Sequence, residues 1–334
     1  VRLAPAPVGL QPARGRHPAE HLAVRAQVFD GAAHVDEQDR RFVITNGAQR
    51  AFDLVGRVLI EPGDCVAVEE PGYPPARQVF QSLGARVVPV PVDAEGLDVR
   101  ALPDSARLVY VTPSHQFPLG MPLSPARRGA LLDWAKQRDA VIVEDDYDSE
   151  FRFGGRPLET LHGLDRSGRV LYVGSFSKVM LPTLRLGFLI APPSLQRELR
   201  QARRLMDLHS PLVEQAALAR FIDSGMLARH IRKLRRDYEE RHSRITEGLT
   251  RHCGDWLQVV PSVAGLHLCA TFQRGGLKLE REAVARAADV GLVTLSRYYA
   301  GPRARPGLVL GYGALPTARI PEGLRRLGAC LSAA

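Results

Sequence analysis

Between Phe42 and Ala191 the chain repeats one arrangement: a short β-branched or aliphatic run, a turn containing Gly or Pro, then a longer stretch with helical spacing. Phe42-Val43-Ile44-Thr45 reads as a strand, and Asn46-Gly47-Ala48-Gln49 opens a helix through about Ile60. Strands follow at Cys65 to Glu69, Ala85 to Val90, Leu108 to Thr112, Val141 to Glu144, Val170 to Val173 and Leu186 to Ala191. Helices are expected at Pro75 to Leu83 and Ser124 to Arg138. Strands separated by helices can pair in parallel, and such sheets are covered on both faces, so their strands are apolar on both sides. The expected class is therefore α/β with a mainly parallel sheet. Ligands on such sheets sit at the carboxyl ends of the strands. Gly47, Ala48, Tyr73, His115, Asp145, Tyr147 and Ser175 to Lys178 all fall at such ends.

Beyond Arg185 the pattern changes. Leu195 to Leu208, Pro211 to Ser224 and Met226 to about Arg251 have helical spacing. The last carries Leu227, Ile231, Leu234, Tyr238, Ile245 and Leu249 on one face, with charges between them that read as a solvated surface. Short strands (Leu257 to Val260, Leu266 to Ala270, Leu292 to Leu295, Leu308 to Leu310) then alternate with helices at Glu280 to Ala288 and Ile320 to Leu331, which describes a smaller α+β lobe. The expected organisation is an N-terminal arm over 1–40 with a short helix at Ala19 to Phe29, a large domain over 41–235, and a small domain over 236–334.

A chain of 334 residues can bury the core that two such lobes need. No apolar run approaches the roughly 18 residues of a membrane span, and the Pro- and Arg-rich start lacks the apolar centre of a secretory signal. Cys65, Cys253, Cys269 and Cys330 have neither zinc-ligand nor disulfide-framework spacing, which points to no metal and to a reduced cytoplasmic compartment. The net charge of +9 is spread along the chain without interleaved aromatics, so charge alone makes a weak case for nucleic acid.

The chemistry concentrates at Val170-Leu171-Tyr172-Val173-Gly174-Ser175-Phe176-Ser177-Lys178 and at Arg185. The lysines of the chain are Lys136, Lys178, Lys233 and Lys278, and only Lys178 follows a strand end, where partial desolvation would favour a neutral amine. Such an amine can form a Schiff base with an aldehyde, and two serines with an arginine suit a phosphate. An aldehyde plus a phosphate describes pyridoxal phosphate. The plainer reading is a surface lysine after a strand. Val141-Ile142-Val143 runs into Glu144, Asp145, Asp146 and Tyr147. A buried carboxylate there needs a cation, and a protonated pyridine nitrogen would serve; a helix cap accounts for at least one of the two aspartates. Pro71-Gly72-Tyr73-Pro74 places an aromatic on a stiff turn, fit to stack on a flat ring or simply to pack. The Thr45–Gln49 turn collects free backbone N–H groups, an anion site in form.

Taken in order, these motifs resemble the fold type I pyridoxal-phosphate family, which includes the aspartate aminotransferases, from about residue 42 to the C-terminus. The resemblance implies a phosphate cradle at Gly47, Ala48 and Gln49, ring stacking by Tyr73, and a pyridine-nitrogen partner in Asp145. It further implies a ring-oxygen contact from Tyr147, a cofactor linkage at Lys178 (the catalytic position), and phosphate contacts from Ser175, Ser177 and Arg185. Thr112-Pro113-Ser114-His115-Gln116-Phe117-Pro118 and Glu69-Glu70-Pro71-Gly72-Tyr73 are closest to the aminotransferase-like domain of MocR-type, GntR-family transcription regulators. There His115 is a polar contact near the ring or a satisfied structural histidine, and Phe117 occupies the place of a transaminase asparagine.

Two departures accompany this likeness. There is no room for the regulators' winged helix-turn-helix, and their upstream tyrosine-glycine motif is only echoed in Gly9 to His17. The arginine that clamps a substrate α-carboxylate is replaced by Val309, with Arg297, Arg303 and Arg305 nearby. The resemblance implies a homodimer that senses pyridoxal 5'-phosphate, or the cofactor with a small amine or amino acid, with DNA bound only through a domain outside this chain. The alternatives are a free-standing class I/II aminotransferase, weak in transamination, and a homologue that no longer binds cofactor.

Overall fold

The computed structural model describes residues 42–154, 158–208, 210–273, 276–278, 280, 292–301 and 304–333. The expected arm and its short helix lie outside these residues, as do Gly9 to His17, Arg303 and nearly all of the helix expected at Glu280 to Ala288.

The large lobe is an eight-stranded sheet. Its strands are β1 (Phe42–Thr45), β2 (Cys65–Glu70), β3 (Arg86–Asp93), β4 (Gly96–Leu97), β5 (Ala106–Val111), β6 (Val141–Asp146), β7 (Val170–Ser175) and β8 (Gly187–Ile190). Their order is β1-β8-β7-β6-β5-β2-β3-β4. The run β3-β2-β5-β6-β7 is parallel, while β8 is antiparallel to both β7 and β1. The carboxyl ends of β1, β2, β5, β6 and β7 therefore share one edge. The strand expected over Ala85 to Val90 continues past Pro91 as β3, to Asp93. It can do so because its outer neighbour is only two residues long, so the missing N–H groups cost no ladder.

Helices cover both faces. On one, α1 (Ala48–Leu59) buries Ala51, Phe52, Leu54, Val55 and Leu59, packing with α2 (Pro74–Ser82) and α5 (Gln196–Asp207) against Tyr110, Val143, Leu171 and Val173. Each fully buried Val, Leu or Phe among these contributes about 1.5–3 kcal/mol. On the other face α3 (Pro125–Arg138) starts at Ser124, whose Oγ accepts from Arg127 N at 3.3 Å, with Pro125 in the first turn. It packs Leu131 and Ala135 near Val109, Val111 and Ile142. The short α4 (Leu161–Leu164) precedes β7.

After α6 (Leu212–Asp223), α7 (Met226–Cys253) runs without a break through residue 235 into the second lobe. That lobe is a four-stranded antiparallel sheet in the order β11-β12-β10-β9, formed by β9 (Leu257–Val259), β10 (His267–Phe272), β11 (Val293–Thr294) and β12 (Gly307–Gly311). Its last helix, α8 (Ile320–Ser332), packs Leu324, Leu327 and Leu331 with Leu249 and Cys253 of α7. No described helix is long and apolar enough to cross a membrane. The four cysteines form no disulfide.

Candidate functional site

Three carboxylates end β6, and strand alternation sends them to different surroundings. Glu144 accepts the Leu161 and His162 amides at 2.9 and 2.8 Å, holding the start of α4. Asp146 accepts from Tyr172 Oη and Ser149 Oγ, each at 2.7 Å, and from Ser149 N at 3.3 Å, so both its oxygens are engaged. Asp145 points to the other face, where Tyr110 donates its hydroxyl to Oδ2 while the buried Oδ1 has no partner. Burial pushes the Asp145 carboxyl up to about 7, opposed by the Tyr110 hydrogen bond and by the charge of Lys178. Glu69, at the end of β2, is also pushed to about 7 by burial, although Thr112 donates to it through Oγ1 at 2.6 Å and N at 3.1 Å.

On the same face as Asp145 stands the N-terminus of α1. Gly47 has φ 82°, a conformation that a side chain disfavours, and a Cβ there would lie 3.3 Å from Nη2 of Arg185. No side chain caps α1, and no acid lies in its first turn, so the leading N–H groups of Ala48 and Gln49 have no intrahelical acceptor. The Gln49 side chain is tied to Pro75 O at 3.0 Å. Arg185, held at φ 51°, donates Nη2 to Asn46 O at 2.9 Å and is otherwise exposed beside this turn. Ser175 closes β7, and its Oγ accepts from Ser177 N at 3.2 Å. Lys178 lies in the turn that follows and is exposed in the single chain, so the expected desolvation is not supplied by this chain's own packing. The lysine's charge nevertheless reaches Asp145 and Asp148, favouring their ionised forms.

An aromatic floor adjoins these groups. Phe117 meets Tyr73 edge-on at 5.5 Å, Tyr147 at 6.0 Å and Tyr298 at 5.1 Å between centroids, and tilts against His267 at 5.1 Å. Tyr147 donates its hydroxyl to His115 O at 2.9 Å and lies 3.1 Å from Nδ1 of that histidine. His115 is buried, with Nδ1 also 2.9 Å from Asp148 Oδ2 and Nε2 3.2 Å from Ser262 Oγ. Both its nitrogens are therefore engaged by protein, and burial holds it neutral, down to about 3. His115, Asp148 and His267 bring one possible ligand atom each within 4.8 Å of one another. With both His115 nitrogens already hydrogen-bonded, the set reads as polar support beneath the site.

The small lobe closes the other side. Glu70 accepts the Ala300 amide at 2.7 and 2.9 Å and the Gly301 amide at 2.8 Å, and Gly72 N donates to Tyr298 O at 3.1 Å. The turn carrying Tyr73 is thus fastened to the loop after β11. Val309 lies in an apolar cluster with Val92, Leu119, Cys269 and Leu295, with Tyr298 packed against it. Arg297 and Arg305 are exposed, with no ion pair to a described residue. Tyr110, His267 and Tyr298 were not singled out from the sequence, and Glu70 entered only as part of the Glu69–Tyr73 motif. A lone histidine within the apolar run Leu266 to Ala270 is the one signal that could have found His267.

The family model described as "Aminotransferase class I and II" matches residues 17–303. The probable rhizopine catabolism regulatory protein MocR of Rhizobium meliloti is 39% identical over 316 residues, covering 93% of this chain and 63% of that protein. Aromatic-amino-acid aminotransferase 1 of Thermococcus litoralis is 33% identical, over 85% of this chain and 70% of its own. The solved structure of LysN, an α-aminoadipate aminotransferase of Thermus thermophilus complexed with N-(5'-phosphopyridoxyl)-L-leucine, superposes with a TM-score of 0.81 at 32% identity, over 88% of this chain and 77% of that one. The chain spans roughly six tenths of the length of the regulators it matches, 57–63%. With the parallel sheet, the strand-end site and these likenesses together, the chain belongs to the aminotransferase class I and II family and has the fold type I architecture.

Proposed function

We propose that this chain is a pyridoxal 5'-phosphate-binding, aminotransferase-like domain that serves as the effector-sensing part of a MocR-type transcription regulator. One observation carries the cofactor reading: among the three carboxylates of β6, only Asp145 keeps a buried oxygen without a partner. It does so on the face that also presents the uncapped start of α1 and Arg185. A protonated ring nitrogen would satisfy that oxygen. When bound, the cofactor supplies an aldehyde that reacts with amines and a ring that withdraws electrons.

The residues fit that group. The N–H groups of Ala48 and Gln49, the close approach allowed by Gly47, Ser175, Ser177 and the Arg185 guanidinium would hold the phosphate. Tyr73 would stack on the ring, Asp145 would keep its nitrogen protonated, and Lys178 would supply the amine. Tyr147 would approach the ring oxygen, with its hydroxyl oriented by His115.

The effector is a small amine, an amino acid or the cofactor itself, and sequence-specific DNA recognition resides outside this chain. Cytoplasmic residence fits four cysteines without a disulfide. A homodimer is supported by Leu205, Leu208, Leu212 and Val213, exposed together at the junction of α5 and α6.

The rival reading, a free-standing aminotransferase, draws on the likeness to the Thermococcus litoralis enzyme. Val309 separates the two. Without a bidentate arginine at that place, an amino acid loses a charge-assisted pair of about 1.5–3 kcal/mol, roughly ten- to a hundredfold in binding. We expect little conversion of the loaded protein to its pyridoxamine form with α-amino acids or 4-aminobutyrate, measured with the keto product. Turnover on the order of 1–1,000 per second would establish the enzyme instead, and Arg297→Ala and Arg305→Ala would then show which arginine replaces the clamp.

A further inference from the structure

We propose that the N-terminal half of α7 is a docking strip for the backbone phosphates of double-stranded DNA. Between Met226 and Arg236 the helix carries Arg229, Arg232, Lys233, Arg235 and Arg236 and no acidic residue. All five are exposed, and none forms an ion pair among the described residues. Arg229, Arg232, Lys233 and Arg236 stand at i, i+3, i+4 and i+7, so they share one side of the helix. Seven residues of helix span about 10 Å, a length over which a duplex presents several phosphates.

A merely solvated helix face often pairs acids with bases, as two other stretches of this chain do. In the second half of the same helix Arg244 pairs with Glu240 at 2.9 Å, and in α8 Glu322 pairs with Arg325 and Arg326 at 2.8 Å. The basic half also runs against the helix dipole. α7 starts at Gly225 with no capping side chain and no acid in its first turn, and that turn carries Arg229, a cation at the end that disfavours one. A stable fold does not require that arrangement, whereas an anionic partner would reward it.

The chemistry narrows the partner. The apolar side of the strip is already used: Leu227 and Tyr238 are buried in the core, with Ile231 and Leu234 packed against it, so the helix cannot lay an apolar face into a membrane. The one ring among the cations, His230, is half-buried and set against Phe221 at 6.4 Å between centroids, so the strip has no row of rings to stack on single-stranded bases. Met226, exposed at the start of the helix, is a single large apolar side chain, short of the central buried cluster a protein interface needs. A row of cations alone suffices for duplex phosphates, whose recognition carries no sequence information. This inference stands on the helix and does not depend on cofactor binding.

The test is fluorescence anisotropy of the full chain with a fluorescein-labelled 30-base-pair duplex of arbitrary sequence, titrated between about 50 and 200 mM KCl. Arg229→Gln, Arg232→Gln, Lys233→Gln and Arg236→Gln together should flatten the slope of log affinity against log salt by about 3.6, at about 0.9 per phosphate contact. Each single substitution should flatten it by about 0.9, which keeps the test alive if the fourfold variant folds poorly. A control carrying Arg197→Gln, Arg220→Gln, Arg251→Gln and Arg319→Gln has the same net charge and should retain most of the slope. Equal loss in the control would overturn the proposal, because net charge alone would then explain binding. So would a wild-type chain that ignores the duplex at 50 mM salt, or a strip whose loss abolishes binding to phosphatidylserine vesicles while leaving duplex binding intact.

Discussion

The two sides of the cleft are built to different standards of chemistry. The large-lobe side offers unsatisfied groups: the free oxygen of Asp145, the uncapped amides of α1, and the exposed Lys178 and Arg185. The small-lobe side is mostly closed on itself. Val309 is packed in an apolar cluster, Tyr298 leans on Phe117, and the loop ahead of β12 hands its amides to Glu70. A ligand that needs only the first side is a cofactor. One that needs both is a substrate, and the second side has little for it beyond Arg297 and Arg305. Under the function proposed above, the difference separates the groups that would hold a cofactor from those that would process an amino acid.

Substitutions on the large-lobe side break or sharpen that contrast. The largest effect belongs to Lys178→Ala, which should abolish covalent attachment of pyridoxal phosphate, read as loss of the borohydride-fixed mass on the peptide containing residue 178. A fixed adduct in that variant would place the reactive amine elsewhere. Arg185→Ala should weaken cofactor affinity by about 1.5–3 kcal/mol, roughly ten- to a hundredfold, in equilibrium dialysis. An unchanged affinity would mean that the α1 amides and serines hold the phosphate without it.

The smallest and most discriminating effect is on stability, and its sign differs between neighbours. Burial keeps the Asp145 carboxyl protonated up to about pH 7, against 3.8 for an ordinary aspartate. Between those values the unfolded chain gives up the proton while the folded chain retains it, so this group's contribution falls as pH rises through 7 and is constant above. Asp145→Asn should therefore make the cofactor-free protein more stable than wild type, with a gap that opens between about pH 4 and 7 and reaches on the order of 1–3 kcal/mol at pH 8. The same change should weaken cofactor binding. Asp146→Asn disturbs bonds to Tyr172 and Ser149 and should destabilise by a similar amount. Thermal melts across pH decide it; the reverse pattern would exchange the two assignments.

Much of the sheet was legible because the central strands β2, β5, β6 and β7 are buried on both faces and because turn residues such as Ser124 and Pro125 mark where a helix starts. The length of β3 was hidden because proline forbids only a central strand, and a strand's place in the order is a tertiary fact. At the site, Lys178, Arg185 and Gly47 stand out by residue type and position. The choice among Glu144, Asp145 and Asp146 rests on partners 17 to 35 residues away, Leu161 and Tyr172 for two of them and Tyr110 for the third. Those contacts carry no mark in the local sequence. Phe117 shows the same limit: its lack of a polar group is visible in the sequence, while its place among four rings is a product of folding.

The alternation along β6 has a further consequence. Val143 lies opposite Tyr110 on one neighbour and Leu171 on the other, and this pairing on both sides sets which acid looks toward α1. A one-residue insertion or deletion between Arg138 and Val141 that slid the strand by one step would leave a sheet of ordinary composition. It would also exchange the faces of the aspartates, presenting a carboxylate neighbour where Asp145 had been and turning Tyr147 away. Tolerance of length change in that short turn is thus a measure of function, because an added residue there moves the acid and not merely a loop.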